Sequence, residues 1–283
     1  MQLKSTFKSV LFAAIAVTVM VSCASDGNKK NEEKRKKSIE ELSIEDVIFD
    51  GDAGTINYKI PSPLEMFVRM QKRNVPFDAT LPNKPANGIR YVTQYQQAVN
   101  MGVYASDMAY CCIIGNSQNS LEYFNLVKNL SVEIGLYEGV NKELADRVLD
   151  NISETDTLLA VASDSYYDVV SYIEEQGLVD IQCMVVAGAW IESLYLCLLP
   201  MKQQQLEDDY NELIRDHQVL LENLIELLDQ NKQSRNVAKL LDEMKLIQAA
   251  YDITYQNKDE KITHDQFVKI VNTVADVRAR IIM

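Results

Sequence analysis

The sequence predicts an all-α fold, built as a multi-helix bundle or as an αα-repeat. Residues 181–199 are apolar on every side of a helix and carry one formal charge, Glu192. Residues 101–114 have the same character, with Asp107 as their single acid. A helix that is apolar all round must be buried. From residue 90 onward, glycines, prolines and capping residues divide the chain into further helices, so we expect these two segments to be the central helices of a helical domain.

The first 22 residues are typical of a signal peptide. Lys4 and Lys8 precede an apolar run at residues 10–21, which is too short to cross a bilayer of about 30 Å as a helix. The run ends in Met-Val-Ser-Cys, which resembles the lipobox of bacterial lipoproteins, with Met20 where leucine is usual. In that family the cysteine receives lipid and becomes the first residue of the mature chain, which implies lipidation of Cys23. The alternative is an ordinary cleaved signal with an incidental cysteine.

Residues 23–38 form a polar segment that we expect to be a flexible tether. Its six Lys or Arg outnumber its three acids, and it has too little apolar surface to fold. It is either a solvated spacer or a basic segment that lies on anionic headgroups. The whole chain has a formal charge of −13, so the remaining body is more acidic still and repels phosphate backbones. This excludes nucleic acid as a partner and leaves the membrane, through the lipid on Cys23, as the first expected partner.

Residues 39–88 are predicted to hold a hairpin, a short helix and a wrapping loop. Turn residues at 50–54 are flanked by apolar segments, which favours a hairpin. Pro63 is suited to the first turn of a short helix at residues 64–73. Three prolines between residues 74 and 88 then indicate an extended loop around the helical body.

Residues 89–283 are predicted to be the helical domain. Gly115, Gly135, Gly177 and Pro200 follow apolar segments as helix ends, and Thr263 begins a segment as a cap. The predicted helices are 90–114, 117–135, one from about 141, 153–177, 179–200, 203–229, 236–255 and 263–281.

A few matches are consistent with an internal duplication. Aligning Asp107 with Glu192 also aligns Tyr110 with Tyr195, and Cys112 with Cys197. Matches further along need a different spacing, so the pattern predicts two related helical units only at this coarse level.

The two acids on the apolar helices are the candidate site. A carboxylate in an apolar setting is costly unless it is paired, and burial raises its pKa. Each acid has a tyrosine three residues on that could donate a hydrogen bond to it. One interpretation is a ligand cavity between the two helices, and the other is a buried polar network that fixes their register. The candidate ligand-binding residues are Tyr104, Asp107, Tyr110, Trp190, Glu192 and Tyr195.

Other kinds of site find little support in the sequence. A di-metal carboxylate bundle needs Glu-x-x-His on two helices, but neither His217 nor His264 has that glutamate. Both histidines lie beside aspartates and are expected at the surface. We therefore expect no metal and no cofactor. The remaining cysteines are expected to be buried free thiols, with a Cys112–Cys197 disulfide as the alternative: Cys111, Cys112, Cys183 and Cys197.

Three segments resemble a family of helical lipoproteins from Bacteroidota that has no assigned activity. They are PSPLEMF at residues 61–67, FDATLPN at residues 77–83 and YQQAVNMGVYASDMAY at residues 95–110. The resemblance covers most of residues 61–281. It implies a helical fold and an envelope location, and it implies nothing about chemistry.

Together these features predict a protein anchored by lipid in the cell envelope, on the outer membrane and facing the periplasm, with the cell exterior as the alternative. We expect it to be a binding or interaction module. Its partner would be a protein that meets the acidic face, or a small apolar or cationic ligand near Asp107 and Glu192. The alternative is an envelope enzyme of hydrolase type that uses these two acids.

Overall fold

The computed structural model describes residues 62–136, 146–147, 155–203, 208–254 and 261–283. Within these ranges every regular element is helical, which confirms the predicted all-α bundle. The predicted signal peptide, Cys23, the tether and the hairpin lie outside the described residues, as does the helix from about residue 141 apart from residues 146–147. The helices are α1 (Pro63–Lys72), α2 (Gln94–Ile113), α3 (Ser117–Glu133), α4 (Thr155–Glu175), α5 (Val179–Leu198), α6 (Asp208–Gln230), α7 (Arg235–Thr254) and α8 (His264–Ile281).

Local capping explains where several helices begin and end. Ser62 and Glu65 form a capping box at the start of α1, and Thr263 and Gln266 form the predicted one at α8. Gly177 ends α4 in the left-handed region at φ 70°, which favours glycine. The predicted start of α2 at residue 90 is wrong. Residues 85–90 form a 3-10 turn instead, and α2 begins after the cap at Thr93.

The two apolar helices, α2 and α5, pack along each other at the centre of the bundle. Their backbones touch at two glycines. A Cβ atom added to Gly102 would overlap the carbonyl of Val185, and one added to Gly188 would overlap the carbonyl of Val99. Small residues at these two positions therefore set the distance between the central helices.

Buried hydroxyls also join α2 to α5. The hydroxyl of Ser106 donates to the carbonyl oxygen of Ala189 at 2.7 Å, and the hydroxyl of Ser193 bonds the same carbonyl at 2.8 Å. The two hydroxyl oxygens are 3.0 Å apart. These bonds fix the register of two otherwise apolar surfaces.

The segment Val179–Gln203 is long and apolar enough to cross a membrane, and it is the one helix of that kind among the described residues. However, 83% of its most apolar window is buried inside the protein. This burial is what the prediction of a core helix requires, and the helix ends at Leu198, just before Pro200.

The other helices enclose this central pair. α3 packs along α2, α1 lies against both α2 and α5, and α8 packs on α5. α6 packs mainly on α7, which in turn contacts α8. α3, which follows α2, packs along it, whereas α6, which follows α5, packs mainly on α7. The internal duplication therefore stays a prediction.

Candidate functional site

The fold brings the two predicted acids together. Asp107 on α2 and Glu192 on α5 both have 0% of their surface exposed. Burial raises the pKa of Asp107 well above its ordinary value, and the neighbouring charge of Glu192 and a hydrogen bond with it raise this pKa further. The prediction that these acids meet between the central helices is confirmed.

A third charged residue, Arg278 on α8, completes the cluster. Its Nε and Nη2 donate to the two carboxylate oxygens of Glu192 at 2.6 Å each, which is a bidentate ion pair. Nη2 also donates to the carbonyl of Leu81 at 3.3 Å, and the guanidinium lies 4.1 Å from the ring centre of Tyr195.

Arg278 was not among the predicted site residues, although the sequence contains a signal for it. Val274 and Ile281 lie one turn before it and about one turn after it, and both are buried. Arg278 therefore occupies the apolar stripe of α8, where a charged side chain must find a buried partner.

The cluster is electrically neutral when Asp107 carries a proton. Two carboxylates and one guanidinium would leave a buried negative charge if both acids were ionised. Oδ2 of Asp107 accepts from the backbone N–H of Asn83 at 3.2 Å, whereas Oδ1 has no donor near it. Protonation of Asp107 removes one buried negative charge and lets its carboxyl donate to Glu192, which agrees with the raised pKa of Asp107.

The tyrosines do not bond to the acids, so that part of the prediction is wrong. The hydroxyl of Tyr110 accepts from the backbone N–H of Asp78 at 2.7 Å, and the hydroxyl of Tyr104 donates to the carbonyl of Lys84 at 3.2 Å. The physical reason is that the loop before α2 brings backbone groups that need buried partners. Trp190 is also buried, but its Nε1 has no hydrogen-bond partner.

We call this loop, residues 75–92, the strap. Asn83 lies near its centre and joins it to the core by hydrogen bonds. Asn83 is 2% exposed, and all four of its polar groups have partners. Its N–H bonds Asp107, and its carbonyl accepts from Tyr123 at 3.0 Å. Its side chain donates to Tyr91 at 3.0 Å and accepts from Asn87 at 2.6 Å. The predicted wrapping loop is therefore bound to the core through the candidate site itself.

The same network reaches the end of α8. The hydroxyl of Tyr91 donates to the carbonyl of Ile282 at 3.2 Å, and the side-chain amide of Asn100 donates to the carbonyl of Ile281 at 3.1 Å. The strap, the two central helices and α8 thus meet at one buried polar cluster. Neither acid has any surface that a reactant could reach, so this geometry favours the register-fixing network over catalysis.

His217 is a correction to the expected surface histidines. It is 1% exposed, whereas His264 is exposed as predicted. His217 lies one turn from Leu213 and one turn from Leu221, so it belongs to the buried stripe of α6. Burial and, to a smaller extent, the charges of Arg69 and Arg73 together lower its pKa from 6.5 to about 3. Neither ring nitrogen has a hydrogen-bond partner.

An apolar cavity of about 50 Å³ lies on the other side of α2 from the charged cluster, between α2 and α4. Most of the residues that line it are buried, and four are half-buried, which indicates where the cavity opens: Ala105, Met108, Tyr166 and Val170. Its walls are almost entirely apolar, with the serines Ser62 and Ser165 among them; other lining residues include Met101, Met108, Phe124, Tyr166, Val169 and Val185. This cavity was not predicted from the sequence, because its walls come from five separate segments.

The remaining chemistry in the described part of the chain is sparse. The four cysteines on the central helices are free and buried, and burial raises the pKa of Cys112 to about 11. No group of three or more metal-binding side chains occurs among the residues with a described position. No protein-family model, no curated protein and no solved structure matches this chain.

Proposed function

We propose that this protein is a lipid-anchored envelope protein that binds a small apolar ligand in the cavity between α2 and α4. The apolar cavity is the observation that carries the proposal. Apolar walls with few polar groups are typical of ligand sites. The proposed ligand site therefore differs from the predicted one, because it lies on the opposite side of α2 from Asp107.

The envelope address rests on the sequence. The apolar run, the lipobox-like residues before Cys23 and the polar tether support an anchor in the outer membrane that faces the periplasm. The resemblance to helical lipoproteins of Bacteroidota supports the same address.

The burial of Asp107 and Glu192 favours a binding function over hydrolysis by these acids. A general acid or base must come within hydrogen-bond reach of its substrate. Asp107 and Glu192 are instead fully buried and held by Arg278 and the strap.

The test compares two variants for ligands that copurify with the protein, identified by mass spectrometry. Ala105→Leu fills the cavity opening, so we expect it to lose an apolar ligand that the unmodified protein retains. Asp107→Asn puts an uncharged amide of similar shape on the opposite side of α2 from the cavity, so we expect it to keep that ligand. Loss in Asp107→Asn with retention in Ala105→Leu would instead place the ligand at the acids.

A further inference from the structure

Resting on the proposed function, we infer that the cavity between α2 and α4 takes the end of an unbranched alkyl chain whose head group is uncharged. The chain enters between the half-buried residues at the opening and ends at the buried base. The polar head stays outside the protein.

The size of the cavity selects a chain over a ring. Its volume is about 50 Å³, roughly one third of the ~150 Å³ apolar cavity that is known to hold benzene. A ring therefore does not fit without expansion, whereas an alkyl chain is narrow enough to enter end first. The opening lets the remainder of a longer chain continue outward.

The shape of the cavity comes from small residues beside flexible ones. Ala105 and Ala109 are one turn apart on α2, and Ala162 faces the space from α4. The short side chains leave a slot, and the two methionines can adjust to what enters it. A slot of this kind is suited to methylene groups, which need contact and no directional bonds.

The charges near the cavity disfavour an anionic head. The hydroxyl of Ser62 caps α1, and its backbone N–H bonds Glu65. Glu65 also accepts from the hydroxyl of Tyr167 at 2.9 Å, so an acid lies beside the cavity wall. A carboxylate head would meet this acid and the −13 formal charge of the chain, whereas an alcohol would not.

The inference is tested by photolabelling the native protein in intact membranes. Three diazirine probes of equal length carry an n-alkyl alcohol, the matching n-alkyl carboxylate, or an aryl ring in place of the terminal alkyl segment. After irradiation, peptide mapping locates the label. We expect the alcohol to label peptides of α2 and α4 at least fivefold more strongly than either other probe.

Variants show whether the cavity itself is labelled. Ala105→Leu should reduce alcohol labelling at least fivefold, while Ala238→Leu, the same change at a half-buried alanine of α7, should leave it unchanged. Met108→Ala enlarges the cavity, so it should raise labelling by the ring probe. This opposite change keeps the test valid if Ala105→Leu folds poorly.

The outcomes separate the inference from the function on which it rests. Equal labelling of the cavity peptides by the ring or by the carboxylate would overturn the alkyl class or the uncharged head, while ligand binding in the cavity would stand. Labelling of these peptides by none of the probes would overturn the proposed function as well.

Discussion

At the scale of single residues, α8 carries two arginine ion pairs whose surroundings differ. Arg278 pairs with Glu192 in the core, where the Glu192 side chain is 0% exposed. Arg280 pairs with Glu243, and its side chain is 42% exposed. The net free energy of an exposed pair is small because water screens it, whereas loss of one partner of a buried pair leaves an uncompensated charge.

We therefore expect Arg278→Met to lower the free energy of unfolding by about 3 to 5 kcal/mol. The matched change Arg280→Met should cost less than about 1 kcal/mol. Urea denaturation of each variant measures both values. The double variant Glu192→Gln with Arg278→Met should recover part of the loss, because no buried charge remains unpaired, and equal costs for the two arginines would contradict the argument.

His217 gives the protein a dependence on acid pH. Its folded pKa of about 3 lies below the ordinary 6.5, so the unfolded chain takes up a proton first as the pH falls. Above pH 6.5 the neutral imidazole makes its full contribution to the free energy of unfolding. This contribution is lost between pH 6.5 and about 3, at up to about 1.4 kcal/mol per pH unit. We expect His217→Leu to remove this slope in denaturation curves measured from pH 7 to pH 4.5. The exposed His264→Leu serves as the control and should keep it.

At this scale the sequence could predict Asp107 and Glu192 because each is the single acid of an apolar helix. The apolar stripe of α8 indicated that Arg278 is buried, but it could not indicate that its partner is Glu192, which is 86 residues away. His217 was misplaced because the neighbouring Asp216 indicated a polar face. The leucines one turn away on each side indicated the correct, buried face.

At the scale of elements, two glycines decide how α2 and α5 cross. In most helices Gly→Ala is stabilising by about 1 kcal/mol, because alanine loses less backbone entropy on folding. Here the added Cβ would overlap a carbonyl of the facing helix, at Gly102 and at Gly188. Packing and propensity therefore act in opposite directions, and backbone overlap is the larger effect.

We expect Gly102→Ala to lower the free energy of unfolding by about 1 to 3 kcal/mol, the range for overpacked cores, in place of the gain that propensity predicts. Thermal and urea denaturation measure the change. Gly188→Ala should act in the same direction. A gain in stability from either substitution would show that the helices do not touch at these glycines.

The strap is the element that depends most on a single residue. Asn83→Ala removes two side-chain hydrogen bonds, to Tyr91 and from Asn87, and leaves the side-chain amide of the half-buried Asn87 without this acceptor. At about 1 kcal/mol for each bond and more for the orphaned groups, we expect a loss of about 2 to 3 kcal/mol. Hydrogen exchange of residues 78–91 should become faster. Thr80→Ala, which changes only exposed bonds to Asp78 in the same strap, is the control and should leave the exchange unchanged.

At the scale of the whole molecule, the sequence predicts the centre of the bundle better than its outer connections. A helix that is apolar all round has one solution, burial, so α2 and α5 could be recognised without knowledge of their partners. The strap could be recognised as a loop from its prolines. Its hydrogen bonds to α2, α3 and the end of α8 could not be predicted, because they depend on a fold that brings distant segments together.

A lipid anchor and a membrane span differ in how much apolar protein surface meets the lipid. Most of the apolar window of Val179–Gln203 is buried inside the protein, so it has little surface left for lipid. Detergent phase separation of cell extracts tests this. We expect the unmodified protein in the detergent phase and Cys23→Ser in the aqueous phase, because the acyl chains proposed on Cys23 would supply the anchor and the one membrane-length apolar helix among the described residues is buried. Ser25→Ala, two residues beyond the cysteine, should remain in the detergent phase. If Cys23→Ser also remained there, another segment would have to contact the membrane directly, and a lipid on Cys23 could not be what anchors the protein.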